Sequence, residues 1–206
     1  MINQKSEVKM FPTNLMKQKA TTTKLAIILP GAGYTSQGPL LHFSSGHYFN
    51  QGFDVLQVNY RFSESELNPF DSEGFVANVL HTLEETLKET AYDQCFIVAK
   101  SIGTIALANL LKHPTFHNAS AIWLTPLLHR DDVYQAMLQY ENNSFCIIGD
   151  KDFCYREDRF ANLKSNPSLK TLLIPNGDHS LENKEDVLSS IDMLKQVIDG
   201  IIQFSN

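Results

Sequence analysis

Phe96-Ile97-Val98-Ala99-Lys100-Ser101-Ile102-Gly103-Thr104 passes from an apolar, β-branched run straight into a helical pattern. The run Cys95–Ala99 reads as a strand, and Ile105, Leu107, Ala108 and Leu111 mark a well-buried helix that ends near His113-Pro114. A side chain carried on so sharp a strand-to-helix turn sits on strained backbone, which needs small residues two positions before it and two after. Ala99 and Gly103 meet that need around Ser101, and no other serine in the chain is so flanked. The plain alternative is a serine in an ordinary tight turn.

A serine hydroxyl is a weak nucleophile at neutral pH, so the chemical reading requires a base and an orienting carboxylate. Downstream, Ile174-Pro175-Asn176-Gly177-Asp178-His179-Ser180-Leu181 places His179 just beyond an apolar run and shortly before a C-terminal helical stripe. The run before it ends in Ile148-Gly149-Asp150-Lys151-Asp152, which offers Asp150 or Asp152. In an open parallel sheet all three loops fall at the carboxyl edge, where such sheets bind ligands.

Six apolar runs support that sheet: Leu25–Leu29, Val55–Tyr60, Cys95–Ala99, Ala121–Leu124, Phe145–Ile148 and Thr171–Ile174. Near-continuous apolar strands imply a sheet covered on both faces, hence an α/β class with a mostly parallel sheet and helices on both sides. Val76, Val79, Leu80, Leu83 and Leu87 form one helical stripe, Val187, Ile191, Leu194, Ile198 and Ile201 another, and Asp131–Tyr140 is the one helix expected between Pro126 and Ser144. That short segment leaves little room for a cap. Residues 1–206 are expected to form a single domain, with 1–24 of undetermined structure.

Composition sets outer limits. The 206 residues are 43% hydrophobic and 19% charged with a net charge of −6, enough for one substantial core. Acidity and the lack of a basic run argue against nucleic acid as partner. The N-terminal stretch lacks an apolar leader, and no run approaches the ~18 apolar residues of a membrane span, so the expectation is a cytoplasmic protein without membrane contact. Cys95 and Cys146 lie in apolar runs and, with Cys154, make an odd number, which favours free thiols over a disulfide or metal site. No His pair has the HExxH spacing of a helical zinc site, and no cofactor is expected.

The first apolar run ends in Leu29-Pro30-Gly31-Ala32-Gly33-Tyr34, a glycine-rich loop that fits neither phosphate motif. A dinucleotide loop needs glycine where Ser36 stands, and a P-loop needs Lys and Ser or Thr where Pro39 and Leu40 stand.

Taken together, the loop PGAGY, the elbow AKSIG, the acid loop GDKD and the loop GDHSL resemble the α/β-hydrolase superfamily across residues 25–204. The Lys in the elbow and the compact DHSL loop are similar to its small dienelactone-hydrolase-like branch, although Ser replaces that branch's Cys nucleophile. The resemblance implies Ser101 as nucleophile, His179 as base and Asp152 rather than Asp150 as acid, because the family's acid follows the glycine by three residues. It makes the glycine-rich loop an oxyanion loop in which the Ala32 N–H joins that of Ile102. Ala99 stands where Gly is commonest, and Pro30-Gly31 where His-Gly is common.

The implied activity is hydrolysis of a small-molecule acyl ester or thioester; the rival is a non-catalytic binding or scaffold protein of the same fold. Gly33, Tyr34, Lys100 and His129 are further candidates for substrate contact. Lys100 could hold an anionic substrate group or an ion pair, Tyr34 could wall the pocket, donate to the oxyanion or simply pack, and His129 has a surface role as its alternative.

Overall fold

In a computed structural model, which describes residues 8–206, the alternation of apolar runs and helical stripes resolves into one seven-stranded sheet. The strands are β1 (Thr13–Met16), β2 (Lys24–Leu29), β3 (Asp54–Val58), β4 (Gln94–Lys100), β5 (Ser120–Leu124), β6 (Ser144–Gly149) and β7 (Leu169–Ile174). Their order is β1-β3-β2-β4-β5-β6-β7, parallel throughout except for β1, which runs antiparallel to β3. All six expected strands are present.

The helices are α1 (Pro39–Asn50), α2 (Glu64–Leu67), α3 (Ser72–Leu87), α4 (Gly103–Leu110), α5 (Asp131–Gln139), α6 (Glu157–Leu163) and α7 (Val187–Ser205). Period-two alternation in each strand feeds two cores. Leu25, Ile27, Ile97, Ala121 and Trp123 face α3, α4, α5 and α6, where Val79, Leu83, Ile105, Leu107, Val133 and Met137 meet them. Ala26, Ile28, Val98, Ile122 and Ile147 face α1 and α7, against Leu41, Tyr48, Met193, Val197 and Ile201. Burying both faces is what makes each central strand apolar along its whole length.

The short helices α2 and α6 have no counterpart in the sequence reading, and three further elements depart from it. α1 occupies a segment with no assigned structure; its buried stripe is Leu40, Leu41, Ser44, Ser45 and Tyr48, and two of those five are serines. Their hydroxyls donate to the carbonyls one turn back, Ser44 to Leu40 at 2.6 Å and Ser45 to Leu41 at 2.7 Å, so polar residues are buried without loss. β1 lies within the N-terminal segment as a four-residue edge strand, too short for a pattern; residues 1–7 of that segment lie outside the described residues. β3 is assigned only to Val58, two residues short of the expected end: Asn59 N–H still donates to Pro12 O, and Tyr60 then turns its hydroxyl onto Pro30 O.

The chain leaves β2 for β3 on one side and returns to β4 on the other, so β2 and β4 flank the point where strand order reverses. Crevices form at such points, outside the carboxyl ends of the strands. The glycine-rich loop and the Ser101 turn are both there. Among the described residues no helix is long and apolar enough to cross a membrane.

Candidate active site

Ser101 follows β4 with φ 54°, the left-handed region that a residue with a side chain adopts at a cost. The turn is held by Ser101 N–H donating to Leu124 O at 3.0 Å and by Thr104, whose N–H and Oγ1 both donate to Ser101 O, at 2.9 and 2.5 Å. Gly103 is required by packing. A Cβ there would lie 2.5 Å from the Leu29 carbonyl oxygen and 2.8 Å from that of Pro30, so only glycine lets α4 start against the end of β2.

The hydroxyl that this turn presents lies 2.8 Å from His179 Nε2. His179 Nδ1 is 2.9 Å from both Asp152 oxygens, in a side chain fully shielded from solvent, while the imidazole remains 23% exposed. Asp152 Oδ1 also accepts the Cys154 N–H at 2.7 Å. The sequence left two acids to choose between, and the geometry separates them. Asp150 accepts Asn176 N–H at 2.8 Å and so ties its own loop to that of His179. Gly149 and Gly177 close the same contact, since a Cβ on Gly149 would fall 1.9 Å from the Gly177 carbonyl oxygen.

Opposite the hydroxyl, the glycine-rich loop comes close enough that a Cβ on Gly31 would sit 3.3 Å from Ser101 Cβ. Gly31 N–H donates to Tyr34 O at 3.0 Å, and Tyr60 donates to Pro30 O, a brace between distant segments that no local pattern marks. Among the described residues neither the Ala32 nor the Ile102 N–H has an intramolecular hydrogen-bond acceptor. Two free donors, one on each of these adjoining loops, are the kind of pair that can receive a developing oxyanion. Gly33 is exposed, and a Cβ there would meet nothing within 4 Å.

Lys100 serves neither role considered for it. It is 1% exposed, and its ammonium donates to Thr125 Oγ1 at 2.8 Å and to the backbone carbonyl of His179 at 2.5 Å. The ammonium nitrogen also lies over the Tyr34 ring, 4.7 Å from its centre. Burial lowers its pKa to about 8 against the opposing fields of Asp152, Asp178, Cys154 and Glu182. Lys100 therefore holds the His179 loop from inside. Tyr34 has its hydroxyl committed as well, accepting Leu40 N–H at 3.0 Å, and burial raises its pKa to about 12. It packs beneath the site and does not point at an oxyanion. His129 is exposed on the turn after β5; partial burial, then Arg156, Arg130 and Arg159, keep its pKa below the usual imidazole value.

Asp152, Cys154 and His179 place three potential metal donors within 4.8 Å of one another. All three already have partners within the protein: the Asp152 carboxylate serves His179 and the Cys154 amide, and burial, with the Asp152 charge next, pushes the Cys154 thiol up to about 12. Cys95, Cys146 and Cys154 are all free thiols, Cys95 half-buried and the others buried.

A cavity of about 360 Å³ adjoins the loop after His179, lined by Tyr34, Leu40, Leu181, Val187, Ile191 and Leu194. A larger one, about 710 Å³, lies between β7 and α7 and involves no residue of the Ser101 site. The β5–β6 connection carries α5 alone, as expected, and adds no cap.

No protein-family model and no curated protein matches this chain. Solved structures do. Est1E from Butyrivibrio proteoclasticus, determined with ferulic acid bound, is 12% identical with a TM-score of 0.69 and 94% of each chain covered. A serine hydrolase without a lid from Xanthomonas campestris is 18% identical at a TM-score of 0.65, covering 93% of this chain and 87% of its own. A dienelactone hydrolase from Anabaena variabilis is 15% identical at a TM-score of 0.67, covering 93% and 89%. The likeness extends over nearly the whole chain and is one of fold: the chain has the α/β-hydrolase fold.

Proposed function

We propose that this protein is a serine hydrolase that cleaves a small acyl ester or thioester through an acyl-enzyme. The observation that carries the reading is the hydrogen-bonded line from Ser101 Oγ to His179 Nε2 at 2.8 Å and from Nδ1 to Asp152 at 2.9 Å, set on a positive-φ elbow. Similarity of fold to serine hydrolases adds support.

His179 Nε2 takes the hydroxyl proton as Ser101 Oγ bonds to the acyl carbon, and the carbonyl electron pair moves to oxygen. Asp152 fixes the Nδ1–H tautomer and stabilises the imidazolium. The Ala32 and Ile102 amides receive the oxyanion, each donor contributing about 3 kcal/mol to transition-state stabilisation. Collapse expels the alcohol or thiol with the proton from Nε2, and water repeats the cycle on the acyl-enzyme. Three unpaired thiols agree with a reducing, cytoplasmic setting.

Labelling of the purified protein with a fluorophosphonate, followed by mass mapping, tests this. The expected outcome is modification of Ser101, absent in Ser101→Ala. A folded protein that takes no label would instead favour the non-catalytic scaffold.

A further inference from the structure

Next to the reacting groups stands an aromatic ring that acyl transfer itself does not use. Phe153 is 69% exposed, and its ring centre lies 4.4 Å from that of the His179 imidazole, inclined at 40°. An exposed phenylalanine gives up apolar area to water, and nothing in the core needs this one. Its backbone is nevertheless fixed on both sides. Asp152 O accepts Tyr155 N–H at 2.9 Å, Asp152 Oδ1 accepts Cys154 N–H at 2.7 Å, and Arg156 Nη1 donates to Phe153 O at 2.9 Å. The carboxylate that orients His179 thus also sets the position of the ring.

The side of the scissile bond that Phe153 flanks follows from proton transfer. His179 Nε2 delivers its proton to the leaving group, which must come within about 3 Å of it. A ring stacked on that imidazole borders the leaving-group side, with its outer face open. Aromatic partners gain more from such a face than their area alone gives, by about two- to tenfold in affinity.

On the serine-hydrolase reading, we propose that Phe153 is a specificity-determining residue that stacks on an aromatic leaving group, so that the substrates are esters of aryl or arylmethyl alcohols or the corresponding thioesters. Benzyl, cyclohexylmethyl and methyl acetate separate aromaticity from bulk while keeping the acyl group constant. The wild type is expected to favour the benzyl over the cyclohexylmethyl ester by about fivefold in kcat/KM, mainly through KM. In Phe153→Leu that preference falls to within about twofold, read as a ratio of kcat/KM values so that any change common to the three esters cancels. Persistence of the preference in Phe153→Leu overturns the inference. So does a parallel fall on all three esters, which would make the ring a support for His179 only.

Fluorophosphonate labelling of the same preparations distinguishes the two levels of failure. Labelling of Ser101 without an aromatic preference, or without turnover of any of these esters, rejects the role of Phe153 alone. Absence of both labelling and turnover rejects the hydrolase reading and this inference with it.

Discussion

Lys100 sits one residue from Ser101 and is almost wholly enclosed. A charge in that position is costly unless all of its donors are met, and Thr125 Oγ1, His179 O and the Tyr34 ring meet them. Its pKa of about 8 lies below the ordinary lysine value of 10.5, so the ammonium form weakens as pH rises through 8. Lys100 is thus a positioning residue whose charge tightens the His179 loop. Lys100→Met is expected to lower kcat by about 10- to 100-fold, since small displacements of a base cost that much. The wild-type pH–rate profile is expected to decline above about pH 8 as Lys100 loses its proton, and Lys100→Met to lack that decline; an unchanged profile would leave Lys100 with a packing role only. The strand-end loops pointed to Ser101, His179 and either Asp150 or Asp152, with the family resemblance favouring Asp152, yet the inward course of Lys100 was not legible. A residue's neighbours in sequence do not say which way a β-strand turns its side chain at the edge of a sheet.

At the scale of the element, the β2–α4 contact decides whether the elbow forms. Local sterics called for a small residue at position 103, and that much was readable; the partners, the Leu29 and Pro30 carbonyls, come from a distant strand. Gly103→Ala forces those backbones apart. The expected cost is about 3 kcal/mol, a fall of roughly 10 °C in Tm by calorimetry for a domain of this size. Activity should fall with it, because Pro30 anchors the loop that carries Ala32. A variant as stable as the wild type would mean that the carbonyls yield freely. The strands were legible because burial on both faces leaves them apolar end to end. α1 was hidden because serines in its buried stripe bond to their own helix, and β1 because an edge strand of four residues carries no period.

Across the whole molecule, alkaline pH sets ionisation against burial. Burial pushes the Cys95 and Cys154 thiols up to about 12 and Cys146 higher still. It raises Tyr34 to about 12, and Tyr48 and Tyr60 further. A folded pKa above the unfolded one means that the stabilisation is complete below the unfolded value, near 9 for the thiols and 10 for the phenols, and is lost as pH rises toward the folded value. Lys100 acts oppositely between about 8 and 10.5, where the unfolded chain holds the extra proton. Three thiols and three phenols outweigh one amine. Urea midpoints should therefore fall from about pH 9 upward, and more gently in Cys146→Ala; a midpoint that holds steady to about pH 11 would contradict the assignment. The lone tryptophan allows such changes to be followed by light. Trp123 is fully buried on β5, its indole N–H without a partner among the described residues, opposite Cys146 in the register of β6. An indole in so apolar a place emits toward the blue, and a neighbouring thiol quenches it, so unfolding will shift the emission red while making it brighter.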